Sequence, residues 1–168
     1  MIELQGERVL LRAFRPDEFE RTWAERQRST TTIGTPGPGA RDRFMRRLEA
    51  SGDWHDDRLD FAVESDGELV GEVDVRSPKS AIPPGVCEFG IELWEERRGG
   101  GLGTEVVELL TAWLHDQGYP RVQAGTKVDN APMRRVLEKA GYAYEGTMRS
   151  FAPDGDGRAD YALYAHVG

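Results

Sequence analysis

The stretch Arg98-Gly99-Gly100-Gly101-Leu102-Gly103-Thr104 sets four glycines between an apolar strand pattern and an amphipathic helix pattern, and few folds have a use for such a turn. Glycine takes backbone dihedrals that a Cβ forbids and lets a ligand come close to the main chain, while the N–H groups and dipole of the following helix favour negative charge. The turn therefore reads as a seat for a pyrophosphate, with Arg98 adding attraction at its entrance. Two common phosphate seats are excluded by spacing. The ATP-binding P-loop needs Gly-Lys-Ser or Gly-Lys-Thr, which the chain lacks. The dinucleotide fingerprint G-x-G-x-x-G fails because its last position falls on Thr104 or Val106. What remains is R-x-x-G-x-G, with Arg98, Gly101 and Gly103 in register.

At 168 residues, 38% of them hydrophobic and four of them Trp, the chain is sized for one domain, residues 1–168, with a sizeable core. It has no run of eighteen apolar residues and no basic segment leading into an apolar one, so a cytoplasmic protein without a membrane partner is expected. The formal net charge of −8 argues against nucleic acid as a partner and favours cationic substrates. A polyanionic cofactor would need local basic groups, which the doublets Arg97-Arg98 and Arg134-Arg135 can supply unless they are merely solvated ends of elements. Cys87 lies in an apolar strand pattern and reads as a core residue. His55, His115 and His166 are dispersed without ligand spacing, so no metal site is expected, and His115 falls on the polar side of its helix, a surface position.

Hydrophobic periodicity predicts strands at about 8–14, 59–64, 68–75, 86–93, 121–126, 142–148 and 159–167. Helices are expected from Pro16 to about Arg28, from about Ala40 to Ala50, over 102–117 ending at Gly118, and after Asp129-Asn130 as far as Gly141. Ser65-Asp66-Gly67 has the residues of a tight hairpin turn. Residues 29–40 (STTTIGTPGPGA) are too rich in Thr, Gly and Pro for a regular element and read as a plain connection or a binding loop.

Three stretches resemble the GCN5-related N-acetyltransferases (GNAT), and among them the ribosomal-protein alanine acetyltransferases. Residues 88–104 (EFGIELWEERRGGGLGT) resemble that branch's E-x-G-x-x-L strand and cofactor turn. Residues 129–142 (DNAPMRRVLEKAGY) resemble its N-x-x-S-x-x-V-L-E-K-x-G-F helix, and residues 145–149 (EGTMR) with Asp160 its E-G-x-x-R tail and late Asp. The resemblance implies an α+β fold: a mixed, mostly antiparallel sheet of about seven strands flanked by four helices, with a V-shaped splay between the fourth and fifth strands. It implies acetyl-CoA as cosubstrate. Main-chain groups near Leu93 would meet the pantetheine arm and the thioester oxygen, those of Arg98, Gly99, Gly100, Gly101, Leu102, Gly103 and Thr104 the pyrophosphate, and Asn130 the arm from the other side. Asn130 also suits a plain helix N-cap. The branch's Ser is Met133 here, and the Tyr that many other acetyltransferases use to protonate the leaving thiolate is Leu137, so no general acid is assigned.

Acetyl transfer to an amine needs a base for the ammonium proton and stabilisation of the developing oxyanion. Glu88 and Glu92 share the polar face of the strand expected to line the cleft, and one of them is the expected base; a structural ion pair is the alternative for each. Trp54 and His55 lie in a loop that could border the acceptor pocket. Tyr144, Tyr161 and Tyr164 read as packing residues of the closing strands. The expected activity is acetyl transfer from acetyl-CoA to a primary amine, either a peptide N-terminus or a small cationic metabolite or antibiotic, by direct attack in a ternary complex of a monomer or homodimer. A non-catalytic CoA-binding sensor of the same fold is the alternative.

Overall fold

The computed structural model describes residues 1–29, 37–78 and 83–168. The binding loop expected within 29–40 therefore lies for the most part outside the described residues.

Asp66 and Gly67 both take positive φ, 54° and 78°, the pairing that a two-residue primed turn demands. They fold strand β3 (Arg58–Ser65) back on β4 (Glu68–Arg76) as an antiparallel hairpin. Around this hairpin runs one eight-stranded sheet in the order β1-β2-β3-β4-β5-β6-β8-β7. Its other strands are β1 (Leu4–Gln5), β2 (Leu10–Arg12), β5 (Val86–Leu93), β6 (Arg121–Lys127), β7 (Ala143–Asp154) and β8 (Gly157–Val167). Every neighbouring pair is antiparallel except β5 and β6. The expected first strand at 8–14 is shorter, and a two-residue β1 precedes it, so the count is eight. The splay expected between the strands at 86–93 and 121–126 lies between those same strands, which are β5 and β6 in the full count.

Four helices complete the fold: α1 (Phe19–Arg28), α2 (Ala40–Glu49), α3 (Leu102–Asp116) and α4 (Ala131–Lys139). Gly118 (φ +88°) and Gly141 (φ +84°) follow α3 and α4 in the left-handed conformation that ends a helix. The larger core lies between the sheet and α3 and α4, where Leu59, Phe61, Val73, Phe89, Val107, Leu110, Leu114 and Leu137 are buried. A smaller core holds α1 and α2 on the opposite face through Phe14, Phe44, Leu48, Leu69 and Trp94. Cys87 is fully buried, and desolvation pushes its thiol up to about 12, which makes it inert.

One expectation about the histidines is corrected. His115 is half-buried rather than on the surface, with Nδ1 2.7 Å from the Tyr119 carbonyl oxygen and Nε2 2.8 Å from His166 Nδ1. Packing of α3 against the end of β8 thus joins two histidines that lie 51 residues apart in the chain. The resemblance to an E-G-x-x-R tail and late Asp acquires a physical meaning as well: Asp160 Oδ1 accepts a bond from Ser150 N–H at 2.7 Å, pinning a bulge of β7 in which Ser150 takes φ +53°. Among the described residues no helix is long and apolar enough to cross a membrane, and no group of three or more ligating side chains could hold a metal ion.

Candidate functional site

β5 and β6 pair only through Val86↔Arg121, Cys87↔Val122 and Glu88↔Gln123. Beyond Glu88, β5 keeps its pairing with β4 as far as Gly71↔Leu93. The two parallel strands therefore part at Glu88 and open a V toward the end of β5. Trp94 N–H donates to Val70 O at 2.9 Å, a short 3₁₀ turn over Glu95–Arg97 follows, and the glycine turn stands at the mouth of the V.

Gly99 and Gly101 have φ of +84° and +86°, and Gly101 is the N-cap of α3. The first helical bond runs from Glu105 N–H to Gly101 O at 3.2 Å, so the N–H groups of Leu102, Gly103 and Thr104 precede the ladder and have no partner within the helix. Gly101 has no side chain with which to cap them. A Cβ built on Gly99 or Gly100 meets no described atom within 4 Å, whereas one on Gly103 would lie 3.6 Å from both Leu93 and Val136. Gly103 is thus the point where the first turn of α3, the end of β5 and α4 converge.

The turn's cations are arranged differently from expectation. Arg98 folds back, its Nε donating to Leu93 O at 2.8 Å and its Nη2 to Glu92 at 3.4 Å. Arg8, which carried no motif signal, donates from Nη1 to Gly100 O at 2.9 Å and pairs with Glu105 at 3.0 Å. Burial pushes the Glu105 carboxyl up, but bonds from the N–H groups and guanidinium of Arg8 and from Val9 N–H outweigh it and hold the group below the usual carboxylate range. Its negative charge in the first turn of α3 also suits the helix dipole.

Asn130 caps α4, its Oδ1 accepting from Met133 N–H at 3.3 Å. Arg134 is tied by Nε to Tyr164 Oη at 3.0 Å and by Nη1 to Val128 O at 3.1 Å, and Tyr164 in turn donates to Glu138 at 3.0 Å. Met133 packs against the main core and Leu137 is fully buried in it, so neither position offers a proton donor. Trp54 stacks on Tyr119 with ring centroids 6.0 Å apart. His55 is exposed, on the rim of a shallow hollow lined by Arg47, Ala50, Asp53, Arg58 and Asp60. That hollow sits at the start of β3, the opposite end of the strands from the glycine turn.

The sheet face beneath α1 and α2 carries the charges. Arg47 pairs with Asp60, Arg58 bridges Asp60 and Asp74 at 3.0 Å each, and Arg76 joins Asp74 to Glu88 at 3.1 Å each. Gln123 Nε2 closes the row, donating to Glu88 at 3.2 Å. Glu88 is therefore one end of an ion-pair ladder that crosses three strands and stops at the crotch of the V. Glu92 stands further along β5, within the V, its side chain 14% exposed and paired with Arg98. Its register partner on β4 is Glu72, a residue that motif reading missed. Glu72 is buried and paired with Arg26 of α1 at 3.1 Å. Burial raises its carboxyl above the ordinary value, against the pull of Arg26 and Arg47. The alternation of Glu72, Asp74 and Arg76 with Val73 and Val75 marks the same polar face that Glu88 and Glu92 mark on β5, and that pattern was available in the sequence.

A strand here splays from a parallel neighbour and leads through a glycine turn into a helix with bare N–H groups, and comparison with known proteins gives this arrangement a family. The acetyltransferase (GNAT) domain family matches residues 8–143. The chain belongs to that family. Residues 8–143 are thus a GNAT acetyltransferase domain. The chain is 31% identical over 91 residues to the L-amino acid N-acetyltransferase AaaT of Escherichia coli (strain K12), covering 52% of this chain and 54% of that one. It spans about half the length of the curated relatives it matches. Mycobacterium smegmatis RimJ, solved with CoA-disulfide, superposes with a TM-score of 0.83 at 20% identity, covering 100% of this chain and 90% of that one. The ribosomal-protein-S5-alanine acetyltransferase of Vibrio fischeri superposes with a TM-score of 0.80 at 16% identity over 99% and 97%. These solved GNAT structures share the fold.

Proposed function

We propose that the protein transfers an acetyl group from acetyl-CoA to a primary amine. The observation that carries this reading is the bare first turn of α3 behind Gly101, set at the mouth of the V between β5 and β6. The residues present fit the cosubstrate. Open space above Gly99 and Gly100 admits a diphosphate to the backbone, the N–H groups of Leu102, Gly103 and Thr104 point where its charge would lie, and Arg8 and Arg98 add positive potential. Main-chain groups at Leu93 and the cap residue Asn130 would flank the pantetheine arm from either side of the V.

When bound, acetyl-CoA supplies the activated acyl group as a thioester. The chain's own part is to orient the acceptor and take its proton. Glu92 is the better base of the two carboxylates on β5, because Glu88 is committed to Arg76 and Gln123 while Glu92 lies inside the opening. A partly buried carboxylate there accepts a proton from the bound ammonium, freeing the nitrogen lone pair for direct attack. Main-chain N–H groups at the end of β5 would balance negative charge growing on the acyl oxygen. The names of two relatives support one acceptor class as the first to try: AaaT is named for L-amino acids and the Vibrio fischeri enzyme for a ribosomal-protein alanine, and both names point to an α-amino group, free or at a peptide N-terminus.

Release of free thiol from acetyl-CoA in the presence of L-amino acids and alanine-initiated peptides tests this reading, with Glu92→Gln expected to lower turnover by about 100-fold and to leave acetyl-CoA binding intact. A non-catalytic CoA sensor is the second reading, supported by Met133 and Leu137 standing where donors to the thiolate are usual. Tight CoA binding without turnover on any amine would favour it.

A further inference from the structure

We propose that Glu72 is a positioning residue of the acceptor site, forming with Glu92 a carboxylate pair that takes the ammonium proton as one unit. This rests on the reading of Glu92 as the base and deepens it.

The two residues are direct register partners on antiparallel β4 and β5 and lie on the same face, where facing side chains have Cβ atoms about 4.5–5.5 Å apart. Each is held by its own guanidinium, Glu72 by Arg26 at 3.1 Å and Glu92 by Arg98 at 3.4 Å. The row thus reads cation, anion, anion, cation. The neighbouring ladder solves the same problem differently: Asp60 and Asp74 are also register partners, but Arg58 reaches both at 3.0 Å. Glu72 is 8% exposed, so it would act through Glu92 rather than touch the acceptor.

Two carboxylates facing each other in a poorly solvated site bind one proton more readily than either would alone, because the singly protonated pair escapes like-charge repulsion and gains a hydrogen bond. Burial is the main cause that raises the proton affinity of Glu72, and Asp74, two residues further along β4, adds to it. The step balances simply: an N–H bond of the ammonium breaks, an O–H bond forms on Glu92, and the Glu72 carboxylate accepts a hydrogen bond from that O–H. The charged groups that set the pair are Arg26 from α1, Arg47 from α2, Asp74 on β4 and Arg98 from the turn.

The test is a carboxylate titration of the full chain labelled with 13C at glutamate Cδ, with the Glu92 signal assigned by its loss in Glu92→Gln. Removing the neighbouring negative charge in Glu72→Gln should lower the Glu92 midpoint by about one pH unit, and removing the positive charge in Arg26→Gln should raise it by a similar amount. The acidic limb of kcat should move in the same two directions. Midpoints unchanged in both variants overturn the pair, and should Glu72→Gln fail to fold, an unmoved midpoint in Arg26→Gln does so alone. If Glu92→Gln instead transfers acetyl groups at the wild-type rate, the assignment of the base fails, whatever the titration shows.

Discussion

Gly71 lies so close beneath the end of β5 that a Cβ there would stand 3.0 Å from the Leu93 Cα and run into the Glu92 carbonyl oxygen. The residue sits just after the bulge in the β3–β4 pairing between Val63 and Glu64, and the close approach lets β5 stay against β4 to its last residue while it leaves β6. Gly71→Ala should push that strand end outward and cost about 1–3 kcal/mol of stability, the range for overpacking a filled site. Urea unfolding of the variant checks the cost. An unchanged midpoint would mean that the strand end yields freely.

The glycine turn separates two roles that sequence alone merges. Gly101 needs its glycine for folding, since at φ +86° a side chain would be strained and its Cβ would sit 3.3 Å from Arg8. Gly100 has neither a positive φ nor a described atom within 4 Å of its would-be Cβ. Gly100→Ala should therefore change stability by less than ~0.5 kcal/mol while weakening CoA, because the added methyl can obstruct only a ligand. Isothermal titration with CoA, beside the melting temperature of the free variant, reads both. Retained affinity would place the diphosphate away from Gly100.

How much of this was legible beforehand depended on whether the signal was local. The helix ends at Gly118 and Gly141, the Asp66-Gly67 hairpin and the cap at Asn130 all follow from dihedrals or bonds within a few residues, and the expected spans hold there. The V was implied by resemblance, because no local pattern of β5 says that it will part from β6 after Glu88. Arg8 beside Gly100 is a contact across 92 residues, and His115 beside His166 one across 51. Neither has a sequence signal, since a lone arginine and two scattered histidines look the same whether solvated or paired. Glu72 stands between these cases. Its strand alternates plainly, but only the β4–β5 register brings it opposite Glu92.

Arg12 was read merely as part of a first strand, yet it is 4% exposed and joined to Glu18 at 2.6 Å and Glu64 at 2.7 Å. The bond to Glu18 is the first cause of the raised Arg12 pKa. Arg12→Met would leave two poorly solvated carboxylates with only the half-exposed Arg15, which reaches Glu64 at 3.0 Å and Glu18 at 3.9 Å, and should cost about 3 kcal/mol, the low end for breaking a buried pair. Adding Glu18→Gln and Glu64→Gln should recover much of that loss, because the cost lies in unpaired charge. Chemical denaturation of the single and triple variants decides it; a triple variant no more stable than Arg12→Met would show that packing of the arginine stem matters more.

The histidine pair makes stability depend on pH in a defined window. His115 Nδ1 faces the Tyr119 carbonyl oxygen and so donates to it, leaving Nε2 to accept from His166 Nδ1–H when both rings are neutral. Desolvation first, and the neighbouring His115 second, lower the pKa of His166 below its ordinary value. In the native state it therefore resists protonation, whereas in the unfolded chain it protonates near the model-peptide value of about 6.5. Between the lowered native value and about 6.5 the unfolded state binds more protons, so stability rises with pH through that window, is complete above it, and is lost as pH falls below about 6.5. Urea midpoints at pH 8, 6.5 and 5 should fall at the acidic end for the wild type and fall less for His166→Gln, which has no proton to take up there. Parallel curves for the two proteins would show that the pair accommodates a proton without cost, with His115 and His166 sharing it across their 2.8 Å contact.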